Sequence, residues 1–454
     1  MSDRVIVVGG GIAGLTAGFR LRQAGFDVLV LEAADRPGGR MITVERDGYR
    51  IDTGASILMT RYRAMARLIS DAGLSAQILP TPDLTGFKRA GTVHRFDNHS
   101  LLGIARTSLL SARAKAHTVP VALDVLRARK KLSWIDPAQA SALDTESVRE
   151  YAVRRIHSDE VLDALIDPLC AAMALTGPDD MSVVDLLAYV ANVFGSTFFN
   201  SATGVGFLPT GVARHLTVET AARVTGVEES AGEVSVTWTR PGQHDRTESA
   251  AGCVIATQAH DIPAIYRQLT PDQREVINSI RYSVGIGVHF GLARPPAEPS
   301  VFVAQNQRDE PDFHLAILDH NKAPGRAPAG TGLVTTYWRH HWGQRHWDDP
   351  DHDLVNAAMP AVRRLFPGLD PDIAFAHVQR WRHALLFAPP GRYASLGRFH
   401  AATPPRGRVR FSGDWLASSS TNSAIATGDR AAEQLAAVLG RPARSVGPIG
   451  VDHR

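Results

Sequence analysis

Cysteine is almost absent from this chain of 454 residues: Cys170 and Cys253 are its only two, and each stands in an apolar context. They read as small buried hydrophobes rather than as a disulfide. Lysine is nearly as scarce, confined to Lys88, Lys115, Lys130, Lys131 and Lys322 beside abundant arginine, the bias of a GC-rich bacterial genome. No apolar run reaches the length of a transmembrane helix. Met-Ser-Asp-Arg leads straight into a β-branched run, leaving no room for a signal peptide, so the cytoplasm is the expected compartment. Excess charge is lacking too: a formal net charge of +3 argues against nucleic-acid binding. With 44% hydrophobic and 21% charged residues, the composition is that of a globular protein of about two to three domains.

What is present is concentrated between Arg4 and Met41. Arg4–Val8 suits a buried parallel strand. Gly9, Gly11 and Gly14 follow at G-x-G-x-x-G spacing: one for a tight turn, one for close approach of a pyrophosphate, one for helix–strand packing. From Ile12 to Ala24, Ala13, Ala17, Leu21 and Ala24 make one helical face, closed by Gly25. Asp27–Leu31 reads as a second strand with Glu32 at its end, where a carboxylate accepts from a ribose diol and repels a 2′-phosphate. Arg36, Gly38, Gly39 and Arg40 then place two arginines around a Gly-Gly turn, suited to the same diphosphate.

These motifs resemble the flavin amine oxidase superfamily, whose opening signature is GxGxxG…E…RxGGR. The resemblance implies FAD and an α/β fold: a Rossmann-like FAD-binding domain with an inserted α+β substrate-binding domain. It covers almost the full length and is strongest at the two ends. The expected FAD-binding segments are 1–80, 205–275 and 395–454; the expected substrate-binding segments are 81–204, mostly helical, and 276–394, rich in strands.

Along the chain, the Asp52-Thr-Gly-Ala-Ser56 element resembles the family's D-x-G turn, which implies that Gly54, Ala55 and Ser56 lie near the flavin. Arg61, before a helix, could meet a substrate carboxylate, although a solvated arginine is the commoner case. Residues 101–135 are basic and amphipathic; they can lie on an anionic membrane surface or form a substrate-domain helix with a solvated face, which is the simpler reading. Residues 146–182 read as two helices and resemble the protoporphyrinogen oxidase branch. Phe194, Phe198 and Phe199 form an aromatic cluster, mainly for packing. Residues 212–222 are expected to be helical, and 223–230 a strand in which the resemblance places Val224 against the adenine.

The strand expected over 282–292 is where amine oxidases of the superfamily carry a lysine holding a water against flavin N5. Here no lysine lies between Lys131 and Lys322, which counts against simple amine oxidation; His289 is the nearby candidate for proton handling. His340 and His341 are read as strand neighbours facing opposite ways, with no ligand partners, so no metal is expected. Gln379–Tyr393 resembles the family's W…P-G segment: it implies Trp381 flanking the flavin, with His383 and Tyr393 toward the substrate and Arg392 a further carboxylate partner. Covalent members attach flavin here through cysteine; this segment has none, which implies non-covalent FAD. Gly413 and Asp414 match the C-terminal flavin motif. A helix opening at Ser423 and Ala424 would aim bare N–H groups, worth about half a positive charge, at the flavin's pyrimidine end. Residues beyond Arg441 read as a polar tail.

The expected function is hydride transfer from a C–H bond of a polycyclic, porphyrinogen-like or secondary-metabolite substrate to flavin N5, with O2 or a quinone as acceptor. Alternatives are an amine or L-amino-acid oxidase, a redox-neutral flavin isomerase, and a flavin-free binding protein like the Rab GDP-dissociation inhibitors.

Overall fold

The β-branched run Arg4–Val8 forms the centre of a parallel five-stranded sheet, ordered Thr217–Glu219, Asp27–Leu31, Arg4–Val8, Gly252–Ile255 and Val409–Phe411. The computed structural model describes residues 3–97, 100–193, 195–369 and 372–441. The expectations for Phe194 and for the tail beyond Arg441 lie outside these residues. Central strands covered on both faces need apolar side chains throughout, and Val5, Ile6, Val7 and Val8 are buried. The helix Ile12–Gln23 stops at Gly25, whose φ of +88° suits glycine.

The C-terminal helix Thr421–Val438 lies against Ile12–Gln23. A Cβ on Gly428 would fall 2.4 Å from the Ala13 carbonyl oxygen, so only glycine allows this approach. Asn422 Oδ1 accepts from the backbone N–H of Ala64 at 3.1 Å and Met65 at 3.2 Å, capping the helix Arg63–Asp71 from across the chain.

The second large sheet has seven strands, ordered Ile373–Trp381, Gly285–Leu292, Gly332–Trp338, Phe313–Leu318, Phe302–Gln305, Leu84–Arg89 and Thr92–Asp97. Its strands come from two separated stretches, and the parallel sheet's from three, so the chain crosses between the sheets repeatedly. Helices between 101 and 193 cover the cavity that opens between them.

Two local expectations need correction. The helix expected over 212–222 is Phe207–Ala213, and Thr217–Glu219 is a strand paired with Asp27–Leu31. Backbone groups on that open sheet edge gain partners from the β-branched Thr217 and Val218, which outweighs helix propensity. His340 and His341 are not strand neighbours: the strand ends at Trp338, and His340–Arg345 is a helix, its turn anchored by Arg339 N–H to the Asp312 carbonyl at 2.8 Å. The two helices expected over 146–182 are present as residues 148–156 and 159–174, separated by a left-handed His157, and each contains a π-helical turn, at Ala152–Ile156 and Leu162–Ile166.

Candidate active site

One cavity of about 1090 Å³ runs from the glycine-rich turn to an apolar chamber under the helices. At its first end lie Gly9, Gly11, Glu32, Gly38 and Gly39. A Cβ on Gly11 would meet nothing within 4 Å and would project into this cradle, whereas one on Gly14 would fall 2.0 Å from the Gly9 carbonyl oxygen. Gly11 thus keeps the cavity open, and Gly14, which does not line it, serves packing. The Glu32 carboxylate accepts from the N–H of Gly10 at 2.6 Å and of Ala34 at 2.8 Å, which fixes it at the rim. Val224 lines the same end; Arg36 is exposed and does not reach the cavity.

Midway, Arg40 donates to Asp414 Oδ1 at 2.8 Å and to the Ala384 carbonyl at 2.7 Å. This joins the N-terminal turn to the last strand, and both partners line the cavity with Gly413. Gly54, Ala55 and Ser56 form the adjoining wall, and Trp381 closes it with its indole N–H on the Thr53 carbonyl at 2.7 Å. A Cβ on Gly54 would fall 2.1 Å from the Arg40 carbonyl oxygen, so the two elements meet backbone to backbone.

At the C-terminal helix, the expected bare N–H groups are displaced by two residues. Ser423 N–H is taken by Ser420 Oγ at 3.0 Å and Ala424 N–H by the Ser420 carbonyl at 3.1 Å. The side-chain cap satisfies the first and the helix's own backbone the second, and the helix presents its N-terminus at Thr421, which lines the cavity with Ala424.

The chamber beyond is walled by Phe87, Phe198, Phe302, Leu165, Leu169 and their neighbours. Its polar groups are few. Tyr62 and Tyr189 flank Trp134 at ring separations of 5.8 and 6.1 Å, and burial raises both phenols, that of Tyr189 to about 12. His314 is buried with neither ring nitrogen partnered among the described residues, and burial and Arg339 hold it neutral. Tyr393 donates its hydroxyl to Asp185 Oδ1, and both line the chamber.

The other residues singled out in the sequence lie elsewhere. Arg61 is exposed beside Gly195, outside the cavity. Arg392 is buried behind the wall and donates to the Trp415 carbonyl. His289 is fully buried within the large sheet, its Nδ1 2.9 Å from Thr335 Oγ1; burial and the neighbouring His377 push it down to about 3, leaving it uncharged. His383 sits behind the wall, stacked on His260 at 4.7 Å with Nδ1 2.6 Å from Gln258 Oε1. Sequence reasoning missed Asp185, although a signal was there: it is the sole charge in the apolar run Val183–Val193.

With both ends of the chain closing over one cavity, comparison with known proteins decides the family. Residues 12–436 match the model for flavin-containing amine oxidoreductases. The chain belongs to this family. It is a flavin oxidoreductase on the α/β fold described. It is 23% identical to the coproporphyrinogen III oxidase of Bacillus subtilis over 439 residues, 85% of this chain and 88% of that one. It is 22% identical to the L-amino-acid oxidase of Demansia vestigiata over 479 residues, 97% of this chain and 88% of the other. Cyclohexylamine oxidase from Brevibacterium oxydans superposes with a TM-score of 0.74 at 21% identity, over 97% of this chain and all of that one. The family spans porphyrinogens, amines and amino acids, so membership does not choose among them.

Proposed function

We propose that the chain is an FAD-dependent oxidase or dehydrogenase that takes a hydride from a C–H bond of an apolar, polycyclic or porphyrinogen-like molecule. The observation that carries this reading is the lining of the cavity: its arginines are Arg40, committed to Asp414, and Arg223, beside Val224 at the nucleotide end. Among the described residues, the chamber itself has no cation to receive a carboxylate, which weighs against an amino acid. Glu32 suits a ribose diol, Gly9, Gly11 and Arg40 suit a diphosphate, and Gly54 to Ser56 with Trp381 suit a flat ring system. No cysteine among the described residues borders the cavity, in keeping with non-covalent FAD. Bound flavin would supply the hydride acceptor. The chain's own part is to orient the substrate, exclude water with apolar walls and hold a proton near the reacting bond.

The test is anaerobic mixing of the flavin-loaded protein with porphyrinogens, polyenes, amines and amino acids. Bleaching by a porphyrinogen or another polycyclic compound is the expected result; bleaching by an amino acid alone would overturn the reading. O2 is the proposed acceptor and a quinone the second, distinguished by oxygen consumption during turnover.

A peripheral lipid contact in the cytoplasm fits the same reading. On the helix Val119–Ala128, Val119, Leu123 and Leu126 are 54%, 44% and 61% exposed, while Val121 and Ala122 line the cavity. Among the described residues, no helix is long and apolar enough to cross a membrane.

A further inference from the structure

We propose that Asp185 is the proton acceptor of the reaction, held in place by Tyr393, and that the substrate carries an N–H or O–H group on the carbon that is oxidised or conjugated with it. This rests on the oxidase reading and names the chemistry of the same site. Among the described residues, four carboxylates line the cavity: Glu32 at the glycine-rich end, Asp261, Asp414 midway and committed to Arg40, and Asp185, which stands with Tyr393 in the apolar chamber. It projects from the first turn of the helix Val183–Val193, among buried Val183, Val184, Leu186 and Leu187. Oδ1 accepts from the Tyr393 hydroxyl; Oδ2 has no partner among the described residues. A buried carboxylate with one oxygen unpaired is costly unless a ligand or a proton completes it.

The surroundings set how readily it holds a proton. Burial raises the Asp185 carboxyl to about 7, the Tyr393 hydrogen bond opposes this, Asp144 adds to it and Arg392 opposes it. Cys170 also faces the group, and burial raises its thiol so far that it stays uncharged. On the elements packed against this helix, Asp124 is committed to Arg127, Arg155 and Tyr151, and Glu150 to Ser147. Asp185 is thus poised to be ionised before the reaction and protonated after it.

The step balances without another reagent. The C–H bond breaks with its electron pair, which leaves as hydride to the flavin. The N–H or O–H bond on that carbon, or conjugated with it, breaks, its proton going to the Asp185 carboxylate, and the pair left behind forms the new double bond, directly as C=N or C=O or by shifting through the conjugated system. Substrate loses two electrons and two hydrogens; bound flavin would supply the hydride acceptor, and the Asp185 carboxylate takes the proton.

Infrared titration of the FAD-loaded protein tests this without turnover. A protonated-carboxyl band is expected to titrate near pH 7, to be missing in Asp185→Asn, and to shift to higher pH in Tyr393→Phe, because the lost hydrogen bond favoured the ionised form. The yellow flavin band should move with the same midpoint, and lose that movement in Asp185→Asn at unchanged flavin content. With any compound that bleaches the flavin, reduction in Asp185→Asn should be slower by roughly 100-fold and lose its pH dependence. A titration unaltered in Asp185→Asn, or an unaltered reduction rate, overturns the assignment while leaving the oxidase reading intact. Protein that binds no flavin, or is bleached by nothing, defeats the oxidase reading itself and this assignment with it.

Discussion

Lys322 Nζ lies 2.6 Å from Ser56 Oγ with no surface exposed to solvent, at the edge of the cavity wall. Its other N–H donors go to Asp52 at 3.0 Å and the Ser56 carbonyl at 3.3 Å, an ion pair sets it 2.6 Å from Asp319, and Arg326 reaches Asp52 at 2.7 Å. Two cations and two carboxylates therefore compensate one another in the interior. Burial pushes the Asp52 carboxyl up, but Lys322 and Arg326 outweigh it and hold it below its ordinary value. Because the three donors of Lys322 are taken, it acts as a clamp between the 52–56 turn and the segment that follows the strand Phe313–Leu318, not as a free amine.

Lys322→Met leaves two buried carboxylates facing one arginine. It should lower stability by about 3–5 kcal/mol, read as an earlier urea midpoint. A midpoint equal to the parent's would mean that the cluster is not compensated as described.

Gly11→Ala and Gly14→Ala should separate cofactor binding from folding. The methyl added by Gly11→Ala has room in the fold, so that apo protein should melt with the parent while flavin absorbance on purification is lost. The methyl added by Gly14→Ala collides with the Gly9 carbonyl and should destabilise the apo protein by about 1–3 kcal/mol or more. If both variants melt early, the cradle is not open space.

Asp414→Ala should abolish flavin retention, because it removes a cavity-lining acid and leaves Arg40 short of its partner. The visible-to-ultraviolet absorbance ratio after gel filtration measures this, and full occupancy would misplace the site.

Asp185 also makes stability depend on pH. Its folded carboxyl titrates near 7 and its unfolded one near the ordinary carboxylate value, so between these the unfolded chain binds fewer protons and stability falls as pH rises. The cost is complete above about pH 7 and absent below about pH 4. Asp185→Asn, which can still accept from Tyr393, should be more stable than the parent by about 1–3 kcal/mol above neutrality and equal to it in acid. An equal difference at both extremes would show that the substitution acts through packing.

The helix Val119–Ala128 should bring the protein down with anionic vesicles, more weakly at high salt, and Leu123→Glu with Leu126→Glu should release it. Failure of the parent to sediment would mark this face as merely solvated.

The sequence by itself determined the N-terminal strand–turn–helix–strand unit. Strand, glycine turn, helix and acid follow one another within forty residues, and each feature is enforced locally by φ, by packing distance or by apolar periodicity. The C-terminal Gly413 and Asp414 were legible from their motif, but their bond to Arg40 was not, because it joins residues at opposite ends of the chain. The strand Thr217–Glu219 escaped because the edge it satisfies is supplied by distant residues. The pairing of Asp185 with Tyr393 and the role of Lys322 were decided only in the folded chain. A carboxylate's proton affinity and a lysine's freedom depend on burial and on which distant partners fill the surrounding shell, and neither is a property of sequence neighbours.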